Sequence, residues 1–199
     1  MFELKFLTSL ITFAFMMNGS PGPNNMMVTA SGANFGYRRS LPHLLGVCIG
    51  FVSMILVVAA GLGFVFTKYP IVHIVLRFVG SAYLLYLAWK IATSSTLVKI
   101  DQKDNRPMTF KAAVLFQYVN PKGWMTAVTG VSSFSKAGSE YWPSAGLIAL
   151  VFLIVCFLSV SIWASFGSLI GTWLNSAKSL KVFNIVMGVL TASCLFMIW

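Results

Sequence analysis

The chain has 199 residues, 58% of them hydrophobic and only 9% charged, with a mean hydropathy of +0.84. A composition of that kind cannot supply a polar exterior, so a soluble domain is excluded and the lipid bilayer is the expected partner. The formal net charge of +10 needs no nucleic-acid partner, because most of the basic residues lie between apolar segments, where they act as a topology signal.

Six apolar segments can be drawn, over residues 6–34, 43–66, 70–91, 110–134, 143–170 and 180–199. Each is near the roughly 20 residues that cross a hydrocarbon core about 30 Å thick. The first opens like a signal peptide, with Lys5 ahead of an apolar run to Met17, but no small-x-small cleavage site follows. Instead Asn18-Gly19-Ser20-Pro21-Gly22-Pro23-Asn24-Asn25 interrupts the run, and apolar residues resume at Met26. A helix from Phe6 to Met17 would rise only about 18 Å at 1.5 Å per residue. A second half-helix must therefore complete the crossing. Pro23 suits the first position of that half-helix, since its missing N–H would be unpaired there anyway.

The second and third segments are unbroken. Gly46-x-x-x-Gly50 in the second suggests close helix packing. His43 and His73 are near segment ends and read as interfacial residues rather than proton relays. The polar stretch from Thr93 to Pro107 is the only sizeable linker and divides the chain into residues 1–92, a cytoplasmic linker 93–109, and residues 110–199. The fourth segment is interrupted at Asn120-Pro121-Lys122-Gly123, so Pro121 lies one hundred residues after Pro21. The fifth is long and rich in Ser and Gly, which favours a tilt or an early end. Gly146 repeats Gly46 at the same offset, and Gly80 in the third segment matches Gly188 in the sixth.

These repeats define the expected fold class, an all-α membrane protein of six transmembrane helices. They form two inverted three-helix repeats with broken first and fourth helices, because an odd number of spans per half reverses the second half. Nine Lys and Arg residues fall after odd-numbered segments, against Lys5, Lys68, Arg77 and Lys136 on the other side. That bias places both termini in the periplasm and the linker with Lys99, Asp101, Lys103 and Asp104 in the cytoplasm.

Backbone physics makes the breaks the candidate binding site. Unwound segments at membrane depth are tolerated where they line a cavity, and helix starts present free N–H groups and a positive dipole end to an anion such as a carboxylate. The candidate substrate-binding residues are Asn18, Pro21, Gly22, Pro23, Asn24, Asn25, Tyr118, Asn120, Pro121 and Lys122. A buried lysine is expensive in lipid, at least roughly 3 kcal/mol. All four acidic residues, Glu3, Asp101, Asp104 and Glu140, lie outside the apolar segments. A substrate carboxylate is therefore the expected partner of Lys122, with the substrate ammonium on carbonyls freed at Met17, Asn18 and Tyr118. The absence of an intramembrane acid disfavours lysine or arginine as substrate.

Cys48, Cys156 and Cys194 form no C-x-x-C, are distant in sequence from both breaks, and read as inert packing. A membrane thiol or electron relay is the alternative they would support, and a noncatalytic membrane scaffold is a third class. No catalytic triad, metal-ligand cluster or phosphate loop is visible, so neither enzyme chemistry nor a metal or other cofactor is expected. Oligomerisation stays open.

Several strings carry a family resemblance: Pro21-Gly22-Pro23-Asn24-Asn25, Gly36-Tyr37-Arg38-Arg39-Ser40 followed by Gly46, Gly80-Ser81-Ala82-Tyr83-Leu84, Ala88-Trp89-Lys90 and Asn120-Pro121-Lys122. Together they resemble the LysE/RhtB family of amino-acid exporters across essentially the whole chain. The stretch Ala88–Ser94 and the run around Gln117, Val119 and Asn120 are most similar to its branch exporting cysteine and O-acetylserine. The resemblance implies export of small neutral amino acids or related metabolites, of cysteine/O-acetylserine or homoserine/threonine type. It also implies a multi-pass protein of the bacterial inner membrane and drive by the proton gradient.

Overall fold

The computed structural model describes residues 4–62, 68–93, 106–174 and 176–197, and their regular structure is helical throughout. The expectations placed on Glu3, Lys99, Asp101, Lys103 and Asp104, and on the side chains of His73 and Arg77, lie outside the described residues, as does most of the linker. The helices are α1 (Leu4–Gly19), α2 (Pro23–Phe35), α3 (Tyr37–Val57), α4 (Pro70–Ala92), α5 (Phe110–Val119), α6 (Pro121–Phe134), α7 (Tyr141–Trp173) and α8 (Ala177–Ser193). A π turn, Val58–Leu62, extends α3, and 3-10 turns Gly138–Glu140 and Cys194–Met197 precede α7 and follow α8.

Both expected breaks are present, and proline chemistry explains them. A proline ring pushes the preceding residue out of the helical region. Gly22, before Pro23, is fully extended at φ −178° and ψ 176°, and Asn120, before Pro121, has φ −88° and ψ 105°. Pro23 and Pro121 then each begin the next helix at its first turn.

Two boundaries differ from the sequence reading. The second segment starts as a helix at Tyr37, six residues ahead of residue 43, because Gly36 at φ 78° turns the chain sharply out of α2. Pro42 is accommodated inside α3 near its exposed end. The fifth segment does not end early: α7 runs 33 residues, about 50 Å at 1.5 Å per residue. It must tilt or project beyond a core about 30 Å thick.

Three helices are long and apolar enough to cross a membrane by length and composition, Tyr37–Gly61, Gly138–Trp173 and Ala177–Phe196, while α1, α5 and the Phe78–Ala92 part of α4 are shorter apolar helices. Surface chemistry agrees. Leu150, Ile154, Leu158, Ile162, Phe166, Leu169 and Trp173 form one exposed apolar stripe along α7. Its buried face mixes small residues, Ala145, Ala149, Cys156, Ser159, Ala164 and Gly167, with larger apolar ones, Ile148, Val151, Phe152, Val155 and Val160. Large apolar residues outside suit a helix solvated by lipid, and the small ones inside let neighbouring helices approach closely.

Close packing is built from small residues. α2 lies along α7, where a Cβ on Gly32 would overlap the Ala164 carbonyl oxygen and one on Gly167 would overlap the Thr29 carbonyl oxygen. α3 receives α5 in the same way. A Cβ at Gly46 would come within 2.5 Å of the Phe110 carbonyl oxygen, and one at Gly50 within 2.8 Å of Val114 Cα. α4 pairs with α8 at Gly188, which faces the Ala88 carbonyl. The expected partner of Gly46 behaves differently, since Gly146 is exposed with nothing within 4 Å of a built Cβ. Edge-to-face aromatic contacts link α1, α3 and α7 through Phe13, Phe51 and Phe152.

The contrast among these glycines is testable. Gly167→Ala and Gly32→Ala should each destabilise the protein by about 1–3 kcal/mol, the range for forcing atoms into a packed interior. Gly146→Ala should be neutral or slightly stabilising through helix propensity. Thermal unfolding of the purified protein, followed by size-exclusion fluorescence, reads the difference; equal melting of Gly167→Ala and Gly146→Ala would contradict this packing.

Candidate functional site

A broken helix leaves carbonyls at one end and N–H groups at the next start without helical partners. At the first break the carbonyls find side chains. Asn25 Nδ2 donates to the carbonyls of Asn18 (2.8 Å) and Ser20 (2.9 Å), Ser20 Oγ donates to that of Met17 (3.1 Å), and Trp163 Nε1 on α7 donates to that of Gly19 (3.3 Å). At the second break Trp124 Nε1 donates to the Tyr118 carbonyl at 2.9 Å. The carbonyls of Met17, Asn18 and Tyr118, expected to be open to a substrate ammonium, are thus already bonded by the protein's own donors. In a water-poor interior an unpaired carbonyl is too costly to be left open.

Lys122 joins the two breaks. Its Nζ donates to Ser20 Oγ at 2.8 Å, to the Ser20 carbonyl at 3.1 Å and to the Pro21 carbonyl at 3.2 Å. Gly22 makes that reach possible, because a Cβ there would stand 2.9 Å from Nζ. The ammonium is half-buried and turned towards the first break. These three acceptors are neutral oxygens, so its hydrogen bonds are satisfied while its charge is not compensated by them.

A second tie runs beside the first. Asn24 Nδ2 donates to Gln117 Oε1 at 2.8 Å and Gln117 Nε2 returns a bond to Asn24 Oδ1 at 3.1 Å. Asn24 and Asn25 occupy the first turn of α2, ahead of Met26, whose N–H makes the first helical bond to Gly22. Asn120 is buried and its Oδ1 has no hydrogen-bond partner among the described residues.

Between the breaks lies a cavity of about 40 Å³. Among the candidate residues, Asn18, Gly22, Pro23, Asn24, Asn25, Asn120 and Lys122 line it. Pro21, Tyr118 and Pro121 do not. Pro21 is exposed, Pro121 is buried behind Gly80, and the Tyr118 hydroxyl is 2.8 Å from Ser53 Oγ. At about one probe volume per water this space holds about three waters. It is too small for an amino acid, so this conformation does not hold one.

Several contributors were missed from sequence. Val47, Phe51, Thr126, Cys156 and Val160 complete the lining, together with Met17 and Gly123 at the two breaks. Cys156 corrects the reading that every cysteine is remote from the breaks: helix packing brings α7 to the site although residue 156 is far from both in sequence. Gln117 and Ser20 hold the ties, and Gln117 had a signal, being a polar side chain in an apolar span next to a break. The interfacial reading of His43 is also wrong, because the ring is 1% exposed and its Nδ1 is 2.9 Å from Ser31 Oγ on α2.

Comparison with known proteins agrees with this architecture. Residues 15–197 match the LysE type translocator family. The chain is 31% identical over 191 residues to the cysteine/O-acetylserine efflux proteins of Escherichia coli (strain K12) and Shigella sonnei (strain Ss046), covering 94% of this chain and 94% of each relative. The same identity and coverage hold for the protein of that name from Escherichia coli O1:K1 / APEC. No solved structure matches the chain. With nearly its whole length matched, the chain belongs to the LysE type translocator family.

Proposed function

We propose that this translocator exports small neutral amino acids or close metabolites, with cysteine and O-acetylserine as first candidates, across the bacterial inner membrane, driven by the proton gradient. The observation that carries this reading is a cavity bounded by both helix breaks, into which one lysine brings a charge that its neutral acceptors leave unbalanced. A substrate carboxylate supplies the balance. It replaces Ser20 and Pro21 at Nζ and draws on the N–H groups at the start of α2. Asn120 Oδ1, buried and without a partner, is the acceptor offered to the substrate ammonium. The relatives' names support the substrate class, and the lack of any carboxylate among the cavity residues supports a neutral side chain.

Six spans in two inverted repeats, residues 1–92 and 110–199 around a cytoplasmic linker 93–109, organise this site in the proposal. Cross-packing supports it: the second helix of each half receives a broken helix of the other, α5 on α3 and α2 on α7, while α4 and α8 pair with each other. Topology follows the basic residues, with both termini periplasmic. In a cysteine-free background, Asp101→Cys should resist an impermeant thiol reagent applied to intact cells; labelling from outside would reverse the orientation.

A thiol relay has one observation in its favour, Cys156 on the cavity wall, with all three cysteines free. The export reading predicts that Cys48→Ala, Cys156→Ala and Cys194→Ala together leave substantial efflux. Loss of efflux at normal membrane abundance would favour the relay.

The central test is radiolabelled cysteine efflux from cells. Lys122→Met and Asn24→Ala should each lower it by at least about tenfold, since 1.4 kcal/mol already gives a factor of ten and a lost charge–carboxylate contact exceeds that. Lys122→Arg should also be impaired, because a planar fork does not fit where a compact ammonium sits beside Gly22. Lys136→Met should change little, as Lys136 pairs with Glu140 in an exposed turn at 2.7 Å. Full efflux by Lys122→Met at equal abundance would move the carboxylate site elsewhere.

A further inference from the structure

We infer that His43 carries the proton exchanged for substrate; the inference rests on the export reading above and adds to it the group that titrates. The ring is fully enclosed between helices, held through Nδ1 by Ser31 Oγ at 2.9 Å, and its Nε2 has no hydrogen-bond partner among the described residues. A buried ring nitrogen without a partner is uncommon, because an unmatched polar atom costs about 1–3 kcal/mol. Something other than resting stability accounts for its place.

Position supplies the reason. His43 is one helical turn before Val47 on α3, and residues four apart share a helix face. Val47 lines the cavity between the breaks. The imidazole therefore sits just beyond the cavity, towards the end of α3 that carries Arg38 and Arg39. In the proposed topology that end is cytoplasmic, so His43 lies between the substrate space and the compartment that receives the proton.

Few other groups could take this part. No carboxylate occurs in α3 or in any helix packed against it. α2 has no titratable residue at all. α5 brings exposed Lys111 and Tyr118, the latter bonded to Ser53, and α6 brings Lys122, bonded to Ser20 and Pro21. α7 brings Cys156 and Tyr141, whose hydroxyl donates to the Ala59 carbonyl at 2.6 Å. On α3 itself are Tyr37, bonded to Ser161, Arg38, Arg39 and Cys48.

The same geometry couples the proton to movement. Ser31 Oγ can pair with Nδ1 in either neutral tautomer, which leaves Nε2 unpaired but the ring uncharged. An imidazolium donates from both nitrogens, and the closed packing offers the second N–H no acceptor among the described residues. Proton uptake at His43 therefore favours a conformation in which α2 and α3 part enough to admit water or an acceptor, and proton loss favours the closed one. The Ser31 bond makes α2, which begins at the first break, the helix that responds.

Purified protein in proteoliposomes tests this with radiolabelled cysteine, kept reduced, under two regimes: accumulation into an acidic lumen, and counterflow at equal pH on both sides. His43→Gln should lose at least about tenfold of the pH-driven accumulation, as removal of the proton carrier requires, while counterflow stays within about threefold. Ser31→Ala keeps the imidazole but removes its partner, and should retain accumulation with a displaced pH dependence. Undiminished pH-driven accumulation by His43→Gln overturns the inference, as does unaltered protein that counterflows without responding to the pH gradient. If His43→Gln does not reach the membrane, Ser31→Ala decides, and a pH profile identical to that of the unaltered protein counts against the inference. Failure of the unaltered protein to move cysteine in either regime would instead sink the export reading itself.

Discussion

A carbonyl released by a broken helix needs a donor whether or not a ligand is present, and in a water-poor interior only the protein can supply one. That requirement organises this molecule. Donors for the first break arrive from the second half of the chain, Lys122 from α6 and Trp163 from α7, while Asn25 and Ser20 close the rest locally. The first break is not satisfied by its own half, whereas at the second Trp124 closes the Tyr118 carbonyl locally. The two halves are thus tied together by the hydrogen-bonding deficit of the first interrupted helix, and the cavity lies between the breaks.

α2 occupies a special place in the resulting packing. It carries no charge, yet its side chains bond to five different helices: Asn24 to Gln117 on α5, Asn25 to the Asn18 carbonyl on α1, Thr29 to the Trp163 carbonyl on α7, Ser31 to His43 on α3, and Asn34 to Asn184 on α8. Small residues let it approach α7 until glycine is required on both sides. Polar contacts thus run along the whole length of this short helix, beside the buried apolar side chains of Met26, Met27 and Val28.

The breaks were legible because proline leaves a local and unambiguous mark: Pro21, Pro23 and Pro121 dictate where helices stop and start whatever the surroundings. The membrane class was equally plain, since composition alone forbids a wet exterior. What the sequence concealed was partnership. Lys122 could be recognised as costly, but nothing in its neighbourhood reveals that Ser20 and Pro21, a hundred residues earlier, accept its bonds. Cys156 and His43 were misjudged for the same reason: distance from a break along the chain, or nearness to a segment end, says little about burial once α7 and α2 close over them. Gly146 shows the converse, a repeat in sequence whose matched position has no matched packing.

With Lys122 as the proposed carboxylate partner, its tether to the Ser20 and Pro21 oxygens makes the protein a competitor for its own binding group. A ligand reaching Nζ exchanges one set of contacts for another, so the net gain is the difference between a carboxylate and three neutral oxygens rather than the whole of the new interaction. Affinity is capped from within. For a protein that must release cargo into a compartment where the cargo is already present, weak holding is an advantage, because the tether re-forms as the ligand leaves and occupies the charge that would otherwise recapture it. Turnover, not retention, is what such a site is built to favour.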